Sequence, residues 1–162
     1  MCGITGFYSP NHANRKNSLS IISKMAGILE HRGPDKEGIY TDYENNLFLG
    51  HTRLSILDLS ESGNQPFTSI SGNYTIVFNG EIYNHLTIRS EINKISKIEW
   101  KGTSDTETLI ESIDAFGIES SLDRIVGMFS FAVWDNVNKQ LVLARDRVGE
   151  KPLYYSIFNN TL

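Results

Sequence analysis

Strand-like and helical stretches of this 162-residue chain come in blocks and do not alternate, and that order constrains the fold more than any single residue. A β-branched and aromatic run at residues 4–8 closes on the turn residues Ser9, Pro10 and Asn11. From Ser18, the apolar residues Ile22, Met25, Ala26 and Leu29 recur at helical spacing, and Gly33-Pro34 stops the helix near His31. Strands are then expected over 38–41 and 47–54, split by the turn 44–46, before a polar loop over 60–66. A further strand at 74–78 ends on Asn79-Gly80, a dipeptide suited to a tight turn with positive φ.

The second helical block follows. Residues 82–92 read as a helix. Another begins at Ser104-Asp105, where Glu107 stands three residues after Ser104 as in a capping box and Gly117 marks the end. A helical turn at 122–126 leads to strands at 129–134 and 140–144 joined by the hairpin 135–139, and 153–158 reads as a last strand. With no βαβ repeat, the sheets have no crossover helices to make them parallel, so the fold class is α+β with antiparallel sheets.

The length suits one domain over residues 1–162 with a sizeable core. A net charge of −4 with dispersed Lys and Arg gives no nucleic-acid footprint. No apolar run spans a bilayer, and no basic segment followed by an apolar core opens the chain, so a cytoplasmic location is expected. One cysteine forms no internal disulfide, which agrees with a reducing compartment.

That cysteine is Cys2. Once Met1 is removed, its thiol and a free α-amine share one residue. An α-amine titrating at about 7.7–8.0 can take the thiol proton directly or through one water, so one residue can be nucleophile and base. Gly3 and Gly6 remove side chains nearby, which allows close approach by a ligand. The plainer alternative is a buried thiol on a starting strand. His12, His31, His51 and His85 lack metal-ligand spacing with each other or with Cys2, so no metal site is expected. A Cys2–His51 pair fits the spacing, although a histidine there is more often a structural hydrogen-bonding residue.

Three polar corners remain: residues 51–56, residues 78–84, and Thr103-Ser104-Asp105. Taken singly, Arg53 reads as a solvated or ion-paired arginine, Asn79-Gly80 as a turn and Asp105 as a helix N-cap.

Taken together, the motifs resemble the glutaminase domain of class II glutamine amidotransferases, within the N-terminal-nucleophile hydrolases. They look most like the glutamine-hydrolysing asparagine synthetases. The resemblance rests on Cys2-Gly3-Ile4-Thr5-Gly6, His31-Arg32-Gly33-Pro34-Asp35, Arg53-Leu54-Ser55-Ile56, Asn79-Gly80-Glu81-Ile82-Tyr83-Asn84, Ser104-Asp105-Thr106-Glu107, the GMFSFA run at 127–132 and the RDRVGEKPLYY run at 145–155. It implies a four-layer αββα sandwich of two antiparallel sheets. It further implies an enzyme in which Cys2 attacks the side-chain amide of L-glutamine, with Asn79 and the backbone N–H of Gly80 as oxyanion hole. Arg53 would pair with the α-carboxylate, Glu81 and Asp105 would hold the α-ammonium, and Leu54, Ser55, Ile56 and Leu57 would line the pocket.

The resemblance also implies a partner. A synthetase domain would follow this one and be absent from residues 1–162, with ATP and Mg expected only there and no cofactor in the glutaminase itself. A homodimer is compatible with it. Two alternatives stand beside this reading: another acceptor, such as a sugar or a surface polysaccharide, and a non-catalytic ligand-binding module if Met1 is retained.

Overall fold

The computed structural model describes residues 2–10, 17–55, 58 and 60–162. Among them, β1 (Gly3–Tyr8) is followed by α1 (Ser18–Ile28), β2 (Lys36–Asp42), β3 (Leu47–Arg53), β4 (Phe67–Thr68) and β5 (Tyr74–Ile82). Then come α2 (His85–Ile95), α3 (Asp105–Phe116), α4 (Ile118–Arg124), β6 (Gly127–Asp135) and β7 (Gln140–Arg145). One 3-10 turn, Glu30–Arg32, follows α1, and another, Glu61–Gly63, lies in the loop after β3.

Both sheets are antiparallel, with strand orders β1-β3-β2 and β4-β5-β6-β7. Alternation along the strands decides what each face meets. On β5, Ile76, Phe78 and Ile82 pack with Ile88 and Ile92 of α2 and Leu109, Ile110 and Ile113 of α3. The intervening Val77 packs instead with Leu47 and Leu49 of β3, and with Ala132 and Trp134 of β6. This second cluster is the filling between the two sheets. On the opposite face of the first sheet, Ile22 and Ala26 of α1 lie over Gly50 of β3. The layers are therefore α1, β1-β3-β2, β4 to β7, and α2 with α3: an α+β, four-layer αββα sandwich, as expected.

Four local expectations are corrected. β5 does not end at Phe78 but runs on through Asn79 and Gly80 to Ile82, and neither residue has positive φ. Gly80 pairs with Phe129, and a Cβ on it would collide with the Met128 carbonyl of β6. The glycine serves strand approach, not a turn. Among the described residues, 153–158 form no strand ladder, and the pairing found there is an isolated bridge from Phe158 to Thr161. Tyr154, Tyr155, Ile157 and Phe158 are exposed, so the apolar run has no sheet to cover. Gly3 and Gly6 meet the protein and not open space: Cβ atoms there would run into Thr52 and Leu29, and into Phe48 and Leu49. Finally, Asp105 is not the N-cap of α3 but its first helical residue; the cap is Ser104, in keeping with its capping-box spacing to Glu107, and its side chain accepts the Glu107 N–H at 3.2 Å.

Candidate active site

The same alternation that sorts the cores brings polar side chains to one end of the inter-sheet layer. Leu47 and Leu49 of β3 face the second sheet, so His51 and Arg53 do as well. Ile4 of β1 packs into that layer, which puts Cys2, two residues earlier, on the same side. Gly3 pairs with Thr52, so Cys2 starts β1 beside the end of β3. On β5, Asn79 and Glu81 lie on the Val77 face. Their strand ends where β1 begins and β3 stops.

A cleft of about 120 Å³ opens there. Its lining includes Cys2, Arg53, Leu54, Ser55, Asn79, Gly80, Glu81 and Asp105, all expected site residues. Two further expected residues, Ile56 and Leu57, lie outside the described residues. Asp58, Gln65, Ser104, Thr106, Met128 and Lys151 also line the cleft.

The thiol of Cys2 sits against the backbone of Leu54. The Leu54 N–H donates to Sγ at 3.4 Å, and Sγ lies 3.6 Å from the Leu54 carbonyl oxygen. Arg32 Nε donates to the Cys2 carbonyl at 3.2 Å, which fixes the main chain of the nucleophile candidate from behind. His51 is not Cys2's partner. Its Nε2 is 3.2 Å from the Phe78 carbonyl oxygen, and burial lowers its pKa to about 4, helped by the Arg53 charge and opposed by that hydrogen bond. The structural reading of His51 therefore holds.

Arg53 is buried, and the loop after β3 wraps its guanidinium. Nη1 donates to the Ser60 carbonyl at 2.7 Å and to Asn64 Oδ1 at 2.8 Å, while Nη2 donates to the Asp58 carbonyl. Among the described residues, Nε donates to nothing, so the inner edge of the fork is open to a ligand. The hydrogen-bond partners are all neutral oxygens, and the Asp58 carboxylate is a nearby anion whose pKa the Arg53 charge helps to lower.

Asp105, across the cleft, accepts the Ile82 N–H at Oδ2 over 2.8 Å. Burial raises its pKa above the ordinary carboxylate value; the Ile82 and Thr106 N–H groups and His85 act the other way, and Glu81 adds to the rise. A buried carboxylate with a second carboxylate nearby is a place where a cation is favoured.

Gln65 and Asp146 brace the cleft, and sequence reasoning had passed over both. Gln65 Oε1 accepts the Phe78 N–H at 2.6 Å, and its Nε2 donates to Thr106 Oγ1 at 3.2 Å, so it ties the residue before Asn79 to α3. Asp146 accepts the N–H groups of Phe129, Glu150 and Lys151, which brings Lys151 to the cleft wall. Gln65 stood in a polar loop and Asp146 within a motif valued for its resemblance alone.

Among the described residues, no group of three or more His, Cys, Asp or Glu side chains could hold a metal ion, and no helix is long and apolar enough to cross a membrane.

Comparison with known proteins gives this geometry a context. A family model described as "Glutamine amidotransferase domain" matches residues 1–162. An asparagine synthetase [glutamine-hydrolyzing] 1 of Bacillus subtilis is 35% identical, with 99% of this chain and 25% of that protein covered. Amidase chry2 of Gibberella zeae is 36% identical over 100% of this chain and 25% of its own length. The chain thus spans about a quarter of these curated relatives. Among solved structures, a glutamine phosphoribosylpyrophosphate amidotransferase from B. subtilis superposes with a TM-score of 0.76 at 18% identity, covering 99% of this chain and 40% of that one. That likeness shows the fold, which is the N-terminal-nucleophile hydrolase fold.

Proposed function

This chain belongs to the glutamine amidotransferase domain family, of the class II kind, and on that premise we propose that its cleft hydrolyses L-glutamine to glutamate and ammonia through a γ-glutamyl thioester on Cys2. The observation that carries the reading is the sharing of one cleft by the Cys2 thiol, the Asn79–Gly80 strand, the Arg53 cation and the Asp105 carboxylate. A free amino acid with an amide side chain presents an anion and a cation on its α-carbon and an electrophilic carbon farther out. The cleft offers groups of matching kind.

In this reading the α-amine of Cys2, freed by loss of Met1, takes the thiol proton as Sγ attacks the side-chain amide carbon. Charge moves to the amide oxygen, where the Asn79 side chain and the Gly80 N–H receive it. The tetrahedral intermediate collapses as the proton passes to the amide nitrogen, which leaves as ammonia and gives the thioester. Water, deprotonated by the same amine, then attacks the thioester carbon; Sγ is the leaving group, and glutamate departs. Arg53 grips the α-carboxylate, Asp105 and Glu81 grip the α-ammonium, and Leu54 and Ser55 close the pocket.

The ammonia would pass to an ATP-dependent synthetase region that converts aspartate to asparagine. Identity of 35–37% to three Bacillus subtilis asparagine synthetases over nearly the whole chain supports that parent. The amidases matched at 36–37% keep a different acceptor as the competing reading.

The deciding experiment measures glutamate and ammonia released from L-glutamine by the protein with its N-terminal residue established by mass spectrometry. Turnover by the form beginning at Cys2, and none by Cys2→Ala, is the expected result. Near-normal turnover by Cys2→Ala overturns the mechanism. For the parent reaction, the full-length protein should form asparagine from aspartate, glutamine and ATP; failure with aspartate alongside glutamine-driven ATP consumption on another acceptor favours the alternative.

A further inference from the structure

Three consecutive backbone N–H groups ahead of α3 all donate to carboxylates. Lys101 N and Gly102 N donate to Glu107 at 2.7 and 3.0 Å, and Thr103 N donates to Asp58 Oδ2 at 2.9 Å. Glu107 is fully buried and belongs to α3 itself, so it fixes the turn from within. Asp58 comes from elsewhere, the loop that wraps Arg53. Its Oδ1 accepts both the Ser60 N–H at 2.8 Å and the Ser60 hydroxyl at 2.6 Å, and its main-chain carbonyl accepts Arg53 Nη2. One residue therefore holds the guanidinium by its carbonyl and the entry to α3 by its carboxylate. Only Ser104 separates that anchored Thr103 from Asp105.

Space at the junction is matched to the contact. A Cβ on Gly102 would collide with Asp58 Oδ2 and with the Ser62 Cβ, so the carboxylate meets the turn at a position without a side chain. The hydrogen bonds from Ser60 and Thr103 lower the Asp58 pKa, and the carboxylate stays charged throughout the range in which such a protein works.

We infer that Asp58 is a positioning residue for substrate selection: its bond to Thr103 sets the spacing between the Arg53 cation and the Asp105 anion. The inference rests on the glutaminase reading above. The α-carboxylate and α-ammonium of an amino acid hang from one carbon, so their separation is fixed by covalent geometry. Two protein charges on different elements can both engage them only if held within about 0.5 Å of the right separation. Arg53 sits at the end of β3 and Asp105 at the start of α3; Asp58 bonds the first directly and reaches the second through Thr103, two residues before it. Gln65 makes a parallel tie nearer Asn79, from Phe78 to Thr106, and serves the reacting end.

The test compares wild type, Asp58→Ala, Asp58→Asn and Gly102→Ala. Substrates are L-glutamine and 4-carbamoylbutanoate, which has the amide and the carboxylate but no ammonium. Asp58→Ala should raise KM for glutamine about tenfold and shrink the preference for glutamine over 4-carbamoylbutanoate by a similar factor. The rate of Cys2 alkylation by iodoacetamide should stay within about twofold, since the thiol is not part of the link. Asn can serve Thr103 or Ser60 with its one oxygen but not both, so Asp58→Asn should fall between. Gly102→Ala should also lower the preference for glutamine, because the new Cβ displaces the Asp58 carboxylate from Thr103.

Wild type that releases no glutamate from glutamine overturns the glutaminase reading, and this inference with it. Active wild type with an unchanged glutamine preference in Asp58→Ala overturns this inference alone. Should Asp58→Ala fail to fold, Asp58→Asn decides by the same preference ratio.

Discussion

His51 Nε2 lies 3.2 Å from the carbonyl oxygen of Phe78, a hydrogen bond that crosses from the three-stranded sheet to the four-stranded one. A carbonyl only accepts, so Nε2 carries the hydrogen and Nδ1 is the bare acceptor, which has no partner among the described residues. The bond pins the residue next to Asn79.

That histidine should make stability depend on pH. Its folded pKa of about 4 is below the ordinary value of about 6.5, so the unfolded chain binds the proton more readily. The stabilisation is complete above pH ~6.5 and is lost as pH falls through the window down to about 4, a change of about 3 kcal/mol. Urea melts of wild type and His51→Gln across this window check the sign. The variant should be less stable at pH 7 by about 1–3 kcal/mol and show a flatter profile.

Asn79→Ala should act on the chemical step. Negative charge reaches the amide oxygen only as the thiolate attacks, so a donor aimed there is worth most in the transition state. Loss of one such donor typically lowers kcat by about 10²–10³, or about 2.7–4 kcal/mol, with KM little changed. Steady-state kinetics on a variant with native circular dichroism tests this, and a raised KM at constant kcat would move the oxyanion hole elsewhere.

Asp105 and Ser104 should separate binding from folding. Ser104 supplies the cap of α3, so Ser104→Ala should cost about 1 kcal/mol of stability. In Asp105→Asn, the amide oxygen can still accept the Ile82 N–H, but the charge facing an ammonium is gone. Glutamine affinity by calorimetry should drop sharply in Asp105→Asn while its Tm stays close to, or above, that of wild type, because a buried carboxylate of raised pKa has been neutralised.

Arg53→Lys should damage both properties at once. One ammonium cannot serve Ser60, Asn64 and Asp58 in the geometry of the guanidinium and also present a fork to a carboxylate. A KM increase accompanied by a loss of about 1–3 kcal/mol in stability is expected from kinetics and chemical denaturation. Unchanged stability would mean that the loop is held without the arginine.

The block order of strands and helices sufficed for the α+β class, because a sheet without crossover helices has to be antiparallel. Strand alternation could have placed Arg53 and Asn79 on one side, since Leu49 and Val77 stand at even spacing from them. What local sequence could not carry was pairing between distant segments. Asn79-Gly80 has the chemistry of a turn, yet β6 approaches so closely that the glycine is used to continue the strand. The 153–158 run has strand-like residues and no partner strand to complete a ladder. Asp105 has the chemistry of a cap, but Ser104 took that place and left the carboxylate to β5. Asp58 and Gln65 carried no local signal: their partners stand 45 and 41 residues away at α3. Four layers came from the family resemblance, because periodicity counts faces without saying how many sheets share them.

Trp134, fully buried between the sheets with Tyr8 at 5.4 Å, has an optical consequence. The chain contains two tryptophans, and the other, Trp100, is half-buried beneath the Arg89 guanidinium at 4.0 Å, with its indole N–H on Asn93. One indole is therefore a dry reporter of sheet meeting sheet, and the other a wetter reporter of the corner between α2 and α3. Replacing Trp100 with phenylalanine leaves a blue-shifted emission that changes only when the two sheets separate. Replacing Trp134 leaves one that follows the turn before α3, so the closing of the sandwich and the setting of the cleft's far wall can be timed independently in a single refolding experiment.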